Sequence, residues 1–326
     1  MVLCLAPGCT WGFILYKVST YVVLKPWNVS MKQARVIFLL KLGGNSMEFK
    51  VIGSGGCVSL PKPLCQCKVC REARAKGHPY ARYGCSLYLK DINLLVDTPE
   101  DIVHSLNYSD IRDIDRVLYS HMDPDHTMGM RVFEQLRLNW FKVSEGNECS
   151  NPVEVLAMPH VMEDMKSIGT KRGSFFEYYE HVRNLIKTVV VNDYICIGKI
   201  KISFIRAQEA TVFVFEEDGK KLIYAPCDVK PFPENEVFMD ADVMIIGNTI
   251  IGEVLKDGFV LGKDNPLRQE LFSMNEIVNL KNKYRVKQVI MTHLEEDWGK
   301  SYDDYLDLEK KYDNVKFAFD GMDVVL

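Results

Sequence analysis

The apolar run Val117-Leu118-Tyr119 leads into Ser120-His121-Met122-Asp123-Pro124-Asp125-His126, and an amphipathic stretch from Met130 to Leu138 follows. This order reads as a strand end, a tight loop and a helix start. Two imidazoles and two carboxylates crowded into that loop are the residue types of a divalent metal site. In an extended segment His121, Asp123 and Asp125 project to one side, and His126 turns inward as the helix begins. Pro124 stiffens the loop and offers no backbone donor. Helix capping would account for one aspartate and leaves two histidines unexplained.

The same arrangement recurs along the chain. Asp97 follows Leu94-Leu95-Val96, Asp228 follows Leu222-Ile223-Tyr224-Ala225-Pro226-Cys227, and His293 follows Val289-Ile290-Met291-Thr292. Each has a plainer reading: a cap for Asp97, a solvated turn for Asp228, a satisfied imidazole for His293. The repetition of a ligand residue at a strand end favours one shared site. Asp97 is then placed to orient a metal-bound histidine or water. Cys227 reads as a small buried hydrophobe in preference to a soft ligand.

Ten cysteines are unevenly spaced, and three cluster as Cys65-Gln66-Cys67-Lys68-Val69-Cys70. Close thiolates suit a tetrahedral structural zinc that needs a fourth ligand, for which Cys57, His78, Cys85 and the acid Glu296 are candidates. Clustering of this kind points to metal over disulfides, hence to a reducing, cytoplasmic setting. A net charge of −4 gives no basic surface for nucleic acid.

Residues 1–46 differ from the rest. Met1 to Tyr16 is uncharged but falls short of the roughly 18 to 20 residues of a spanning helix, and it lacks a basic segment of the signal-peptide kind. The expectation is an extension of unassigned role over 1–46, a functional domain over 47–326, and no membrane span. Strands are expected at Phe49–Ile52, Ser86–Leu89, Asn93–Val96, Val117–Tyr119, Val153–Leu156, Ile200–Phe204, Thr211–Phe215, Leu222–Tyr224, Val243–Ile246, Gln288–Met291 and Val315–Phe319. Helices are expected at Pro99–Leu106, Thr127–Leu138, Val161–Lys166, Pro266–Lys283 and Tyr302–Lys311. Asp218-Gly219 signals a hairpin between two of the strands. Two strand-rich halves flanked by helices make a layered α/β sandwich. Phe175, Phe176, Tyr178 and Tyr179 read as core or lid packing before pocket lining.

The order Asp97, His121 loop, Asp228, His293 resembles the metallo-β-lactamase superfamily of metal-dependent hydrolases, over Met47 to the C-terminus. That family's signature H-x-H-x-D-H-x-x-G stands here as H-M-D-P-D-H-T-M-G. The knuckle C-x-C-x-x-C after Gly53-Ser54-Gly55-Gly56 is similar to the branch holding the phosphoribosyl cyclic phosphate phosphodiesterase and the pyrroloquinoline-quinone biosynthesis accessory protein. The resemblance implies a four-layer αββα sandwich. It implies one metal on Asp125, His126 and His293, bridged by Asp228, and another on His121, the residue at Asp123 and a further histidine. Two departures stand out. Asp123 replaces a histidine, and Gln208 and Glu209 stand where the further histidine belongs, Glu209 being the better ligand. An oxygen-rich first site shifts preference from Zn²⁺ toward Mn²⁺, Fe²⁺ or Mg²⁺. By the same resemblance Glu296 replaces a histidine as fourth ligand to the knuckle zinc.

The resemblance further implies a hydrolase, best read as a phosphodiesterase acting on a small, cyclic phosphate ester through a metal-bound hydroxide. One or two divalent metals (Zn, Mn or Fe) would serve it, beside the structural Zn. Asp125 or Asp228 would hold the attacking water, and His160 would protonate the leaving group. Arg82, Arg131 or Lys263 would bind phosphate, if they are not plain surface charges. The partner is a small molecule, with neither nucleic acid nor membrane, and a homodimer is an admissible assembly. The alternative is a non-hydrolytic accessory protein that binds metal or metabolite through an eroded first site. An RNA nuclease is the weakest reading.

Overall fold

Short β-branched and aromatic runs separated by turn residues pair into two seven-stranded sheets within residues 47–326. The first sheet takes β1 (Glu48–Gly53), β2 (Ser86–Leu89), β3 (Leu94–Val96), β4 (Arg116–Leu118), β5 (Val153–Ala157) and β6 (Ile186–Val190). The second takes β7 (Tyr194–Ile197), β8 (Ile200–Ala207), β9 (Ala210–Glu217), β10 (Lys220–Ala225), β11 (Val243–Ile246), β12 (Gln288–Met291) and β13 (Val315–Phe317). The last strand, β14 (Asp323–Val325), returns to the edge of the first sheet beside β1. Strand order is β6-β5-β4-β3-β2-β1-β14 in one sheet and β7-β8-β9-β10-β11-β12-β13 in the other. β3 to β6 are mutually parallel, as are β10 to β13, and the remaining neighbours are antiparallel.

This computed structural model describes every residue from 47 to 326. Of residues 1–46 it describes Val2–Leu3, Phe13–Val18, Tyr21–Pro26 and Phe38–Lys41, which pair in chain order as an antiparallel sheet. Residues 1–46 and 47–326 are two separate units, and the rest of the extension lies outside the described residues. No helix among the described residues is long and apolar enough to cross a membrane.

Period-two alternation sends each strand's side chains to two different cores. On β12, Ile290 joins the layer between the sheets, with Phe49, Val96, Leu118, Phe213 and Phe215. Its neighbours Val289 and Met291 face the opposite way, toward the helices α6 (Met274–Lys283) and α7 (Tyr302–Glu309). The outer face of the first sheet packs against α2 (Ile102–Tyr108), α4 (Val132–Arg137) and α5 (Pro159–Ser167) through Ile102, Phe133, Val161 and Met165. Helix, sheet, sheet and helix make the expected four-layer αββα sandwich. Each large apolar side chain so buried contributes about 1.5–3 kcal/mol.

Two expected helices are interrupted. Over 127–138 a four-residue turn α3 (Pro124–Thr127) and a 3₁₀ segment precede α4, because Gly129 is pressed against the Thr98 and Pro99 carbonyls and its N–H donates to Thr98 O at 2.8 Å. Over 266–283 the chain breaks at Leu271. Phe272–Ser273 pairs with Thr249–Ile250, and Ser273 then caps α6 in a reciprocal box with Glu276. The Asp218-Gly219 turn has φ of 48° and 79°, the left-handed pair a two-residue hairpin requires, and joins β9 to β10. Strands β6, β7 and β14 and helix α1 (Lys68–Lys76), which starts inside the cysteine knuckle, are not among the expected elements.

Candidate metal centre

The carboxyl ends of β3, β4, β10 and β12 carry Asp97, His121, Asp228 and His293, and the sandwich brings these ends together. Asp97, Asp228 and His293 all leave their strands in the left-handed region, with φ of 63°, 50° and 52°. That conformation is costly for a side-chain-bearing residue and is held by the surrounding structure. Gly247, just past β11, lets His293 in: a Cβ there would lie 1.9 Å from Pro226 O and 2.6 Å from the His293 Cβ.

Three donor groups result, two of them sharing His121, each with its ligand atoms within 4.8 Å of one another: His121 with His126 and Cys227, Cys57 with Asp125 and His293, and His121 with Asp123 and Asp228. The rings of His121 and His126 lie 4.2 Å apart, and those of His126 and His293 stack at 5.3 Å. Each histidine is fixed from behind. Asp97 Oδ2 accepts from His126 Nδ1 at 2.8 Å and from Ser120 Oγ at 2.6 Å, while Oδ1 accepts from Ser120 N at 2.8 Å. Ser120 Oγ also meets His121 Nδ1 at 2.9 Å. Glu295 Oε1 lies 3.1 Å from His293 Nδ1, and Asp125 Oδ2 lies 3.1 Å from its Nε2. With Nδ1 engaged, Nε2 faces inward, and the Nε2 atoms of His121 and His126 are buried with no hydrogen-bond partner. Imidazoles held at one nitrogen by a carboxylate or hydroxyl, with the other bare and buried, fit a divalent metal.

The electrostatics follow from burial and these neighbours. Burial, with His126 beside it, holds His121 well below the usual imidazole range. Burial would do the same to His126, but Asp97 outweighs it and raises it. His293 is likewise buried, and the Cys227 sulfur and the Asp125 carboxylate raise it. Burial pushes Asp125 up, but the His293 hydrogen bond and the nearby imidazoles carry it below the usual carboxylate range. Burial and the carboxylates of Asp228 and Asp125 raise Asp123.

The cysteine knuckle forms a second group. Glu296 Oε1 lies 3.0 Å from Cys67 Sγ, 3.2 Å from Cys70 Sγ and 3.5 Å from Cys65 Sγ. Three sulfurs and one carboxylate oxygen within 4.8 Å fit a tetrahedral zinc. Of the other candidates for the fourth place, Cys57 stands with Asp125 and His293, and Cys85 lies between Tyr224 OH and Thr292 Oγ1. His78 contacts Ala81 O and Asp320.

Several expectations are corrected. Glu209 sits in the two-residue turn between β8 and β9, 79% exposed and paired with Arg206, so it belongs to none of the donor groups. Its carbonyl accepts from His160 Nε2 at 3.2 Å, which holds His160 there and not in the cluster. Burial and Arg206 keep that imidazole below its usual range, a poor condition for a general acid. Arg82 is no surface charge: it is 2% exposed and donates to Ser54 Oγ and Ala318 O. Arg131 is exposed and pairs with Glu134. Phe176 and Tyr179 are core. Sequence reasoning gave no role to Ser120 or Glu295, and it read Cys57 as a candidate for the knuckle where the structure sets it beside Asp125 and His293. Glu295 had a signal, two residues beyond His293 and so on its side of an extended segment. Gly56 has no Cβ because the Glu295 carboxylate fills that space.

The β-lactamase superfamily domain matches residues 92–294. No curated protein matches the chain in sequence. Zn²⁺-bound PqqB from Methylobacterium extorquens superposes with a TM-score of 0.64 at 18% identity, covering 86% of this chain and 100% of that one. A diphosphatase from the PhnP family gives 0.62 at 17% identity, with coverages of 86% and 97%. The short form of human tRNase Z gives 0.51 at 14% identity, with coverages of 85% and 98%. At these identities the likeness is one of fold.

Proposed function

This chain belongs to the β-lactamase superfamily, and from that premise we propose that it is a metal-dependent hydrolase of small phosphate esters, phosphodiesters first among them. The observation that carries the reading is the pair of buried Nε2 atoms on His121 and His126 that make no hydrogen bond and lie toward the carboxylates of Asp123, Asp125 and Asp228. A divalent metal on these donors supplies an activated water at neutral pH and a Lewis acid for the phosphoryl oxygen. Asp97, Ser120 and Glu295 hold the imidazoles in the tautomer that ligates. Asp123 and Asp228 are exposed and line the cleft in front of these imidazoles.

That cleft has a volume of about 620 Å³, the size of a small-ligand pocket. Leu255, Phe259, Leu261, Leu267, Leu271 and Trp298 line it beyond the donors. Lys256, the one lysine or arginine among its lining residues, is committed to Glu296 at 2.7 and 2.8 Å. An ester with a single negative charge and an apolar arm suits this lining better than a polyphosphate.

A second reading, a non-hydrolytic metal- or metabolite-binding accessory protein, draws support from Glu209 turning outward, which leaves the first metal short of its third family ligand. Metal content and bis-(p-nitrophenyl) phosphate turnover, measured on wild type and His126→Ala, separate the two. Metal beyond the knuckle's share, with turnover lost in His126→Ala, supports the hydrolase. Full metal loading without turnover, with Zn²⁺, Mn²⁺ or Fe²⁺ supplied, hands the case to the accessory protein.

A further inference from the structure

Cys227 has no part in the function proposed so far, yet it stands inside the cluster. It follows Pro226 at the carboxyl end of β10, is 6% exposed, and its sulfur lies within 4.8 Å of a ring nitrogen of both His121 and His126. Asp228 Oδ1 is 3.7 Å from the same sulfur. Two imidazoles and a carboxylate are not the surroundings of a thiol that merely fills space. Cys85 supplies the contrast: it too is buried, but its neighbours are the hydroxyls of Tyr224 and Thr292.

We propose that Cys227 is a thiolate ligand of the metal centre, forming with His121 and His126 a two-imidazole, one-thiolate donor set that Asp123 and Asp228 complete with oxygen. The second, independent observation is that the Nε2 atoms of His121 and His126 are buried with no hydrogen-bond partner, the nearest carboxylates being Asp123 at 3.8 Å and Asp125 at 3.5 Å, while their Nδ1 atoms are engaged by Ser120 and Asp97. The proposal rests on reading the cluster as a metal centre. It reverses the metal preference drawn from Asp123 alone. A thiolate softens the set and returns the preference to Zn²⁺, with Mn²⁺ and Mg²⁺ disfavoured. It also supplies from β10 the donor that the turn at Glu209 does not.

The test uses the full chain loaded with Co²⁺, whose thiolate-to-metal absorption reports sulfur ligation whether or not the protein turns over substrate. At matched cobalt occupancy, Cys227→Ser loses one sulfur's share of that absorption and Cys85→Ser keeps it all. Cys227→Ser also lowers affinity for Zn²⁺ at the cluster by at least about tenfold relative to Mn²⁺. X-ray absorption on the wild-type zinc protein counts the sulfur ligands without any substitution, so the proposal stays testable if the serine variant fails to fold. One sulfur beyond the knuckle's three, found in the wild type and kept in Cys57→Ser, supports it. Cluster metal bound with the knuckle's sulfurs alone overturns it and leaves the metal centre standing. Metal held at the knuckle and nowhere else overturns both.

Discussion

Replacing Asp97 by Asn tests whether the metal centre depends on the tautomer of His126. Asp97 is fully buried and accepts three hydrogen bonds, from Ser120 N, Ser120 Oγ and His126 Nδ1. Asn keeps the left-handed backbone at φ 63°, and its single oxygen can still accept from Ser120 N, while its NH2 takes the place of Oδ2 and turns Ser120 Oγ from donor to acceptor. Its amide then faces His126 Nδ1 as a donor. The imidazole answers by moving its proton to Nε2, the atom that must ligate. Loss of an outer partner of this kind costs about 10- to 100-fold in metal affinity, or about 1.4–2.7 kcal/mol. Asp97→Ala leaves His126 free to choose its tautomer, but it strains the left-handed backbone by about 1–2 kcal/mol and opens a gap beside Ser120. The two variants therefore separate. Asn weakens metal binding more, and Ala lowers the unfolding temperature more. Competition for Zn²⁺ against a chromophoric chelator, with thermal unfolding followed by circular dichroism, reads both quantities. Wild-type affinity in Asp97→Asn, or weaker binding in Ala than in Asn, refutes the tautomer argument.

Further outcomes are expected from the same geometry. Gly247→Ala drives a Cβ to 1.9 Å from the Pro226 carbonyl, so stability falls by about 1–3 kcal/mol in urea unfolding and His293 shifts. Cys67→Ser removes one knuckle sulfur, so metal analysis finds one ion fewer per chain and the donors of the cluster keep theirs. Burial pushes the Asp320 carboxyl up to about 6, with the Tyr83 N–H and Ser54 opposing. An unfolded Asp titrates near ~3.9, so the native state holds a proton that the unfolded chain releases between those values. The stability this group contributes is present below the lower value and lost as pH rises through the upper one. Asp320→Asn flattens that fall in urea titrations run from pH 4 to 7, and an unchanged slope counts against the assignment.

The sequence alone determined the local features. Strand-period runs ending in Asp97, His121, Asp228 and His293, the Asp-Gly hairpin and the knuckle spacing all live within a few residues, where side-chain alternation and turn chemistry act. The layered α/β class and the ligand types follow from that scale. Only the tertiary structure decided which donors meet. Parallel strands from two different sheets end at one edge, so Cys57 joins Asp125 and His293, and Cys227 joins His121 and His126, across sequence separations that no local pattern spans. The same packing turned Glu209 outward on its hairpin, tied His160 to that hairpin's carbonyl and buried Arg82 beneath Ala318. It also broke two continuous helical patterns, at Gly129 and at Leu271, because backbone contacts with Thr98, Pro99 and Asn248 outweighed helix propensity there. Periodicity specifies which face a residue shows. What that face meets is set by the packing of the two sheets and the close backbone approach that Gly247 and Gly129 permit.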